Sequence, residues 1–222
     1  CRPPCRRRTV AAASSAAPSP PHAKGDMAGM CHAMVHRGPD AEGVWLSPDG
    51  KIGLAHRRLT IIDLADAAGQ PMANEDGEIL VTYNGEIYNH AALRLELTKA
   101  GHRFRTDHSD TEVVVHGYEE WGLEGLLPRL EGMFAFAIWD AKEKFLHLFR
   151  DRFGVKPLYY YFDGRIFAFA SEIKGFLAIP EIDLRYDSEG LSTVLAYCHG
   201  SEGIEPQPFN LLRSFCPGLA QP

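Results

Sequence analysis

The residues best suited to chemistry lie in one short stretch, Tyr83-Asn84-Gly85-Glu86-Ile87-Tyr88-Asn89. Asn84 offers a side-chain amide, Gly85 a free backbone N–H and Glu86 a carboxylate, and this combination has several catalytic uses. The ordinary alternative is a plain turn, because Asn-Gly is the dipeptide that most favours a turn with positive φ. The choice depends on the elements that hold the three groups.

A strand and a helix are predicted on either side of these groups. Residues 78–83 are rich in β-branched and aromatic side chains, which is typical of a strand. Asn89 is placed to cap a helix over residues 91–100, and Gly101 is placed to end it. The sequence therefore predicts a strand, an Asn84-Gly85 turn and a helix in succession.

Composition narrows the class of protein. A chain of 222 residues with 45% hydrophobic and 10% aromatic residues can bury a sizeable core. No apolar run reaches the roughly 18 residues that a membrane span needs, so we expect a soluble, cytoplasmic domain. The net charge of −6 argues against nucleic acid as a partner. The five cysteines form no CxxC pair, which indicates neither a metal site nor a disulfide framework.

Changes in composition along the chain divide it into three segments. Residues 1–26 form a basic segment, rich in Pro, Arg, Ala and Ser, that we predict to be disordered or aberrant. Residues 27–197 carry the regular patterns and form the domain, and residues 198–222 form an irregular tail.

The periodic patterns within the domain predict antiparallel strands with helices grouped between them. Helices are predicted over 27–35 and from a capping box at Ser109-Asp110-Thr111-Glu112 to about Trp121. Strands are predicted over 43–47, 52–55, 59–62, 133–139, 145–149, 158–162 and 166–170. Residues 133–139 are apolar on both faces, as in a strand buried on both sides. This order favours an α+β layered fold over a βαβ fold.

Seven blocks of residues resemble a known family. They are His36-Arg37-Gly38-Pro39-Asp40, Leu54 to Asp63, Asn84 to Asn89, Ser109 to Glu112, Gly132 to Phe136, Arg150 to Tyr160 and Ser171 to Lys174. Their order is that of the glutaminase domain, a class II glutamine amidotransferase, of glutamine-hydrolysing asparagine synthetases. The resemblance covers about residues 30–197. It implies a four-layer αββα sandwich of two antiparallel sheets, of the N-terminal nucleophile hydrolase type.

The resemblance implies a role for each matched residue. Glutamine hydrolysis builds negative charge on the carboxamide oxygen, and fixed donors aimed at that charge contribute about 3 kcal/mol each. In the family, the residues matching Asn84 and Gly85 form this oxyanion hole. Arg58 matches the bidentate ligand of the substrate α-carboxylate, its alternative being an ordinary strand arginine.

Two carboxylates match the partners of the substrate α-ammonium, Asp110 and Glu86, and Asn84 also belongs to the glutamine-binding set. Asp110 has an ordinary alternative as well, because aspartate early in a helix is favoured by the helix dipole. The pairs His36-Arg37 and Arg150-Asp151 look catalytic, but the resemblance implies structural roles for both.

The nucleophile is where the sequence departs from the family pattern. The family uses a cysteine at the mature N-terminus, whose own α-amine acts as base. Cys1 is followed by Arg2-Pro3-Pro4, and two consecutive prolines cannot donate to a sheet ladder. Cys31 lies on an apolar helix face, where a buried thiol is the ordinary interpretation. We therefore assign the nucleophile to no cysteine. The basic start fits either a transit peptide or a shifted reading frame.

The implied partners follow from the family. L-Glutamine is the amido donor, and ammonia passes to a synthetase domain, in cis or in trans, that uses ATP and Mg to amidate aspartate. We find no ATP-gripping Ser-Gly-Gly-x-Asp-Ser loop here, so the glutaminase half is expected to need no cofactor, and a homodimer is one expected assembly.

Three hypotheses stay open. The first is the glutaminase half of an asparagine synthase, which Pro39 and the Glu-Ile-Tyr-Asn sequence after Gly85 favour. The second is a catalytically inactive fragment that keeps the fold and binds glutamine. The third is an amidotransferase domain for another acceptor, in purine, amino-sugar, exopolysaccharide or β-lactam synthesis.

Overall fold

The computed structural model describes residues 8–10, 20–58, 69–163, 166–182 and 212–214, and of residues 8–10, 20–24 and 212–214 only the backbone. The chain divides into two compact units. The first comprises Cys1–Met34, Leu46–Leu54 and Pro157–Cys216, and the second comprises Val35–Trp45, Ala55–Lys156 and Pro217–Pro222. None of the described helices is long and apolar enough to cross a membrane.

In chain order, the helices and strands are β1 (Arg8–Val10), α1 (Pro20–Ala33), β2 (Ala41–Leu46), β3 (Gly53–Arg58), β4 (Met72–Ala73), β5 (Ile79–Ile87), α2 (His90–Ala100), α3 (Asp110–Leu126), β6 (Gly132–Asp140), β7 (Phe145–Arg150), β8 (Tyr159–Phe162), β9 (Ile166–Ala170) and β10 (Leu212–Ser214). Short 3-10 helices occupy Val35–Arg37, Leu127–Arg129 and Ile173–Ala178. Strands β2 and β3 form a two-stranded sheet of their own.

The first unit packs a helix and a 3-10 segment with a four-stranded sheet. The sheet order is β1-β9-β8-β10, with β1 parallel to β9 and the other pairs antiparallel. Helix α1 buries Met27, Met30 and Cys31, as its apolar spacing predicts. It lies against the segment Ile173–Ala178, where a Cβ on Gly29 would be 3.0 Å from the Ala178 Cβ.

Regular structure also occurs inside the terminal segments that composition predicts to be irregular. Helix α1 begins at Pro20 rather than Met27, and β1 occupies Arg8–Val10. Strand β10 lies in the predicted tail. Hydrophobic periodicity does not predict these elements, because three-residue strands are too short to show it and the start of α1 has no apolar spacing. The predicted strand at residues 59–62 lies outside the described residues.

The second unit is built on the antiparallel sheet β4-β5-β6-β7, with α2 and α3 packed on one face. Its core joins Tyr83 and Ile87 of β5 to Leu97 of α2 and Val114 of α3. Strand β6 is buried from Phe134 to its end at Asp140, which confirms the prediction of a strand covered on both sides. The predicted strands at 145–149, 158–162 and 166–170 are also present.

The predicted Asn84-Gly85 turn is wrong, because β5 runs through both residues and ends at Ile87. Gly85 pairs with Phe134 of β6, and Asn84 and Glu86 pair with the two neighbours of Phe134. A Cβ on Gly85 would lie 2.4 Å from the Met133 carbonyl oxygen and 2.7 Å from the Phe134 Cα. Gly85 is therefore required for close approach of two strands, a common reason for glycine within a sheet.

Both predicted caps also differ in detail. The Asn89 side chain makes no cap bond to α2 but donates to the Arg129 carbonyl at 2.8 Å and accepts from the Glu131 N–H at 3.1 Å. Ser109 precedes α3 without a side-chain cap bond. The capping box is replaced because Glu112 instead accepts from the N–H groups of Arg105 and Thr106 in the preceding loop.

Candidate functional site

The Gly85 N–H points to an open edge of β5. Across the sheet, the Phe134 backbone is engaged with Asp151: its carbonyl accepts the Asp151 N–H at 2.7 Å, and its N–H donates to the Asp151 carboxylate at 3.2 Å. The Phe134 backbone groups therefore face β7. Two residues opposite each other in an antiparallel pair point their backbone N–H and C=O groups either toward each other or away from each other. Since those of Phe134 face β7, the N–H of Gly85, which lies opposite Phe134, points away from β6.

The two neighbouring N–H groups on this edge are already bound. The Tyr83 N–H donates to the Gln70 side-chain oxygen at 2.7 Å, and the Ile87 N–H donates to the Asp110 carboxylate at 3.0 Å. Each lies about 7 Å along the strand from the Gly85 N–H. Within the described parts of the chain, no acceptor meets the Gly85 N–H, so one open donor stands between two satisfied ones.

The Asn84 side chain provides a second unused donor next to the first. Its Nδ2 atom is buried, and the described residues offer it no hydrogen-bond partner. Since side chains alternate along a strand, Asn84 lies on the face of β5 opposite to Tyr83, away from α2 and α3. A buried, unpaired amide donor costs about 1–3 kcal/mol, so such groups are expected where a ligand supplies the acceptor.

Asp110 ties the start of α3 to the same edge. Its Oδ2 accepts from the Tyr83 hydroxyl at 2.7 Å and from the Ile87 N–H at 3.0 Å. Burial, and then the Asp110 charge, raise the pKa of Tyr83 above its ordinary value, so that phenol stays protonated and donates. Neither bond uses Oδ1, and the described residues place no donor on it. Asp110 thus has a structural role and one oxygen left for a ligand.

Arg58 ends β3, which lies beside the Asn84 face of β5. The contact is the Thr82 hydroxyl, which donates to the Ala55 carbonyl at 3.4 Å. Arg58 lies three residues beyond Ala55, about 10 Å along the strand. Burial, and then the Arg58 charge, lower the pKa of His56 to about 4. The positive charge at this end of β3 therefore comes from Arg58 and from Arg57, which pairs with Glu42 at 2.8 Å.

Comparison with known proteins identifies the family of this chain. The sequence profile described as "Glutamine amidotransferase domain" matches residues 12–221. The chain belongs to this family. The resemblance inferred from the seven sequence blocks is confirmed.

Relatives of this amidotransferase domain are considerably longer proteins. Asparagine synthetase [glutamine-hydrolyzing] 3 of Bacillus subtilis is 43% identical over 167 residues, which are 74% of this chain and 26% of that protein. Asparagine synthetase [glutamine-hydrolyzing] 2 of the same organism is 45% identical, over 75% of this chain and 21% of that protein. Amidase chry2 of Gibberella zeae is 41% identical, over 65% and 21% respectively. The matched part of the chain spans about a fifth to a quarter of the length of these curated relatives.

Solved structures share the fold of the amidotransferase domain. The glutamine phosphoribosylpyrophosphate amidotransferase of B. subtilis matches with a TM-score of 0.57 and 22% identity, over 68% of this chain and 39% of that one. A structure described as the allosteric regulatory enzyme of purine biosynthesis matches with a TM-score of 0.59 and 21% identity, over 69% and 40%. With the antiparallel sheets and helices described above, this likeness confirms the α+β prediction and agrees with the αββα sandwich.

Four of the sequence-predicted site residues of the amidotransferase domain lie on or next to β5. Asn84, Gly85 and Glu86 are adjacent on β5, and Asp110 is bonded to the same strand. Glu86 is half-buried on the Asn84 face. Of the cysteines, only Cys31 is described; it is buried on α1, which agrees with its interpretation as a core thiol. Cys1, Cys5, Cys198 and Cys216 lie outside the described residues.

The residue that sequence reasoning missed is Gln70. Besides accepting from Tyr83, it donates through Nε2 to the Thr111 hydroxyl at 3.2 Å. No feature of its own neighbours in the sequence signals this role. The pair Arg150-Asp151 has structural contacts: the Asp151 carboxylate accepts from the N–H groups of Phe153, Val155 and Lys156, and Arg150 donates to the carbonyls of Gly154 and Lys156.

Proposed function

We propose that this amidotransferase domain hydrolyses L-glutamine to glutamate and ammonia. The observation that carries the proposal is the buried Asn84 Nδ2, which has no partner among the described residues, adjacent to the open Gly85 N–H. Two fixed donors at consecutive residues suit one oxygen that gains negative charge during attack on a carboxamide. Donors held in advance for that charge are a large source of catalysis in such reactions.

Charge around β5 suits the two ends of a free amino acid. Arg58 offers a planar bidentate donor for the α-carboxylate, which an arginine binds better than a lysine does. Asp110 retains one carboxylate oxygen for the α-ammonium, and Glu86 adds a second negative charge on the Asn84 face. This assignment of Arg58, Asp110 and Glu86 rests on the family resemblance together with their positions beside β5.

The chemistry requires a thiolate that attacks the side-chain carbonyl carbon. The tetrahedral intermediate collapses to a thioester, and the amide nitrogen leaves as ammonia after gaining a proton. Water then cleaves the thioester, which releases glutamate and regenerates the thiol. We assign this thiol to no particular cysteine; buried Cys31 does not suit the role.

The relatives support a wider proposal for the protein to which this domain belongs. Ammonia from glutamine would be consumed in the ATP-dependent amidation of aspartate, by a synthetase domain that binds ATP and Mg, in cis or in trans. The similarity to two glutamine-hydrolysing asparagine synthetases favours aspartate as acceptor. The similarity to Amidase chry2 keeps a different acceptor as the second candidate.

Release of glutamate from L-glutamine by the purified chain tests the proposal, with and without prior thiol alkylation. We expect alkylation to abolish release, and Asn84→Ala to lower kcat by about 10²–10³-fold, the usual effect of removing one oxyanion donor. Asn89→Ala is the matched control, because the Asn89 side chain bonds only to the backbone of Arg129 and Glu131 among the described residues. It should retain activity.

Binding measurements separate an active glutaminase from a catalytically inactive domain that still binds glutamine. If calorimetry detects glutamine binding that Arg58→Ala abolishes, but no glutamate is released, the chain is an inactive domain that keeps glutamine recognition. Absence of both binding and release would overturn the proposed function. Equal activity of Asn84→Ala and the unaltered chain would remove Asn84 from the oxyanion role.

A further inference from the structure

Three side chains with metal-binding atoms come together in the second unit, on the α2–α3 side of the sheet. His116 and Glu119 lie one turn apart on α3, and His102 follows the end of α2. One ligand atom from each lies within 4.8 Å of the others. The Glu119 Oε2 is 2.9 Å from His116 Nδ1 and 3.8 Å from His102 Nδ1. We refer to these three residues as the His102 cluster.

The opposite nitrogen of each imidazole faces a carboxylate. His102 Nε2 is 3.1 Å from Glu120 Oε2, and His116 Nε2 is 3.7 Å from Glu112 Oε1. Histidine ligands of metals usually donate their other ring N–H to such a carboxylate, which fixes the tautomer and the ring orientation. The second oxygen of the Glu119 carboxylate, Oε1, accepts a hydrogen bond from Asn74 Nδ2 at 2.7 Å, which fixes the orientation of the carboxylate.

His116 is the most buried of the three residues. The residue is 1% exposed, and its Nε2 has no hydrogen-bond partner among the described residues. The His116 Nε2 faces the carboxylates of Glu112 and Glu75, whose oxygens are 3.7 and 3.9 Å away. A metal on Nδ1 moves the proton to Nε2, where both carboxylates can accept it.

We propose that His102 Nδ1, His116 Nδ1 and Glu119 Oε2 bind a divalent transition-metal ion of the zinc class. Metal–nitrogen and metal–oxygen bonds of about 2.0–2.2 Å place tetrahedral ligands about 3.3 Å apart, between the two measured separations. Imidazole nitrogens suit zinc, copper and nickel better than magnesium or calcium. His102 and Glu119 keep side-chain exposures of 18% and 21%, so solvent can reach a fourth position.

The proposed site joins the loop after α2 to α3, and it goes beyond the proposed glutaminase activity. Four carboxylates, those of Glu75, Glu112, Glu119 and Glu120, surround the two imidazoles and favour a cation. No sequence motif predicts the site, because its ligands include no cysteine and only His116 and Glu119 are close in sequence.

Titration of the full chain with zinc chloride tests the site. We expect one bound zinc per chain and a rise in Tm, as for any ligand that binds only the folded state. His102→Gln and Glu119→Gln, at partly exposed positions, should weaken zinc binding at least about tenfold and abolish the rise in Tm. His108→Gln, an exposed histidine in the same unit, is the matched control and should bind zinc normally.

Cobalt(II) spectroscopy distinguishes this site from the cysteines. Nitrogen and oxygen ligands give tetrahedral visible bands without the thiolate charge-transfer bands of a cysteine site. Thiolate bands, or zinc binding unchanged in both ligand variants, would place the metal elsewhere and overturn the proposal. Absence of stoichiometric zinc binding would also overturn it, and would leave His116 as an ion-paired histidine. Neither result depends on glutamine hydrolysis.

Discussion

The Gln70 side-chain oxygen accepts the Tyr83 backbone N–H at 2.7 Å, beyond the point where β4 stops pairing with β5. Gln70 thus substitutes for a strand residue at the edge of the sheet. Asp110 does the same for Ile87. The Gly85 N–H between them is left for a ligand. The side chains of Gln70 and Asp110 thus determine which backbone N–H on this edge stays available.

Gln70→Leu should destabilise the domain, because it leaves the buried Tyr83 N–H unpaired. The expected loss is about 1–3 kcal/mol in the free energy of unfolding. Gln70→Glu keeps an acceptor oxygen at this position and should lose less. Urea unfolding of the three proteins measures the difference, and equal midpoints for Gln70→Leu and the unaltered chain would contradict the edge role.

Gly85→Ala should lower both stability and activity. The added methyl would meet the Met133 carbonyl oxygen and the Phe134 Cα, so β5 must move away from β6. We expect a cost of about 1–3 kcal/mol, typical of overpacking. Gly25→Ala is the control, because no atom lies within 4 Å of a Cβ at that position. Thermal unfolding should show a lower Tm for Gly85→Ala only.

Asp110→Asn separates the two roles of this carboxylate. The amide oxygen can still accept from Tyr83 and Ile87, so folding should be retained. Loss of the negative charge should weaken glutamine binding about tenfold or more, since hydrogen bonds to charged groups are the stronger ones. Calorimetry measures the affinity, and circular dichroism checks the fold. Unchanged affinity would leave Asp110 with a purely structural role.

His56 should make the domain less stable as pH falls from about 6.5 to about 4. Burial and the Arg58 charge lower the pKa of folded His56 to about 4, against 6.5 in the unfolded chain. Between these values, the unfolded chain binds a proton that the folded chain does not, so unfolding is favoured. Below about 4, both states are protonated and the loss is complete.

The measurement for His56 is Tm as a function of pH for the unaltered chain and for His56→Gln. Carboxylates titrate in both proteins, so the difference between the two curves isolates the imidazole. We expect that difference to change by several degrees between pH 6.5 and 4. Parallel curves would show that His56 is not buried in its neutral form.

The sequence predicted the elements whose pattern is local and long. Strand β6 and the apolar face of α1 were both found from side-chain spacing. The Asn84-Gly85 turn was not, because the local preference of Asn-Gly for a turn is overridden by pairing with Phe134, some fifty residues later in the chain. Gln70 and the His102 cluster were missed for the same reason, since their partners are distant in sequence and only folding brings them together.

The loop after β7 is exposed, but a single side chain holds its backbone. Phe153 is 92% exposed, but its backbone N–H and those of Val155 and Lys156 are all bound by the single Asp151 carboxylate. A protease can cut this loop only after the loop unfolds locally, and exchange of its amide protons requires the same local unfolding. This prominent loop should therefore resist trypsin at Arg152 and exchange its amide protons slowly.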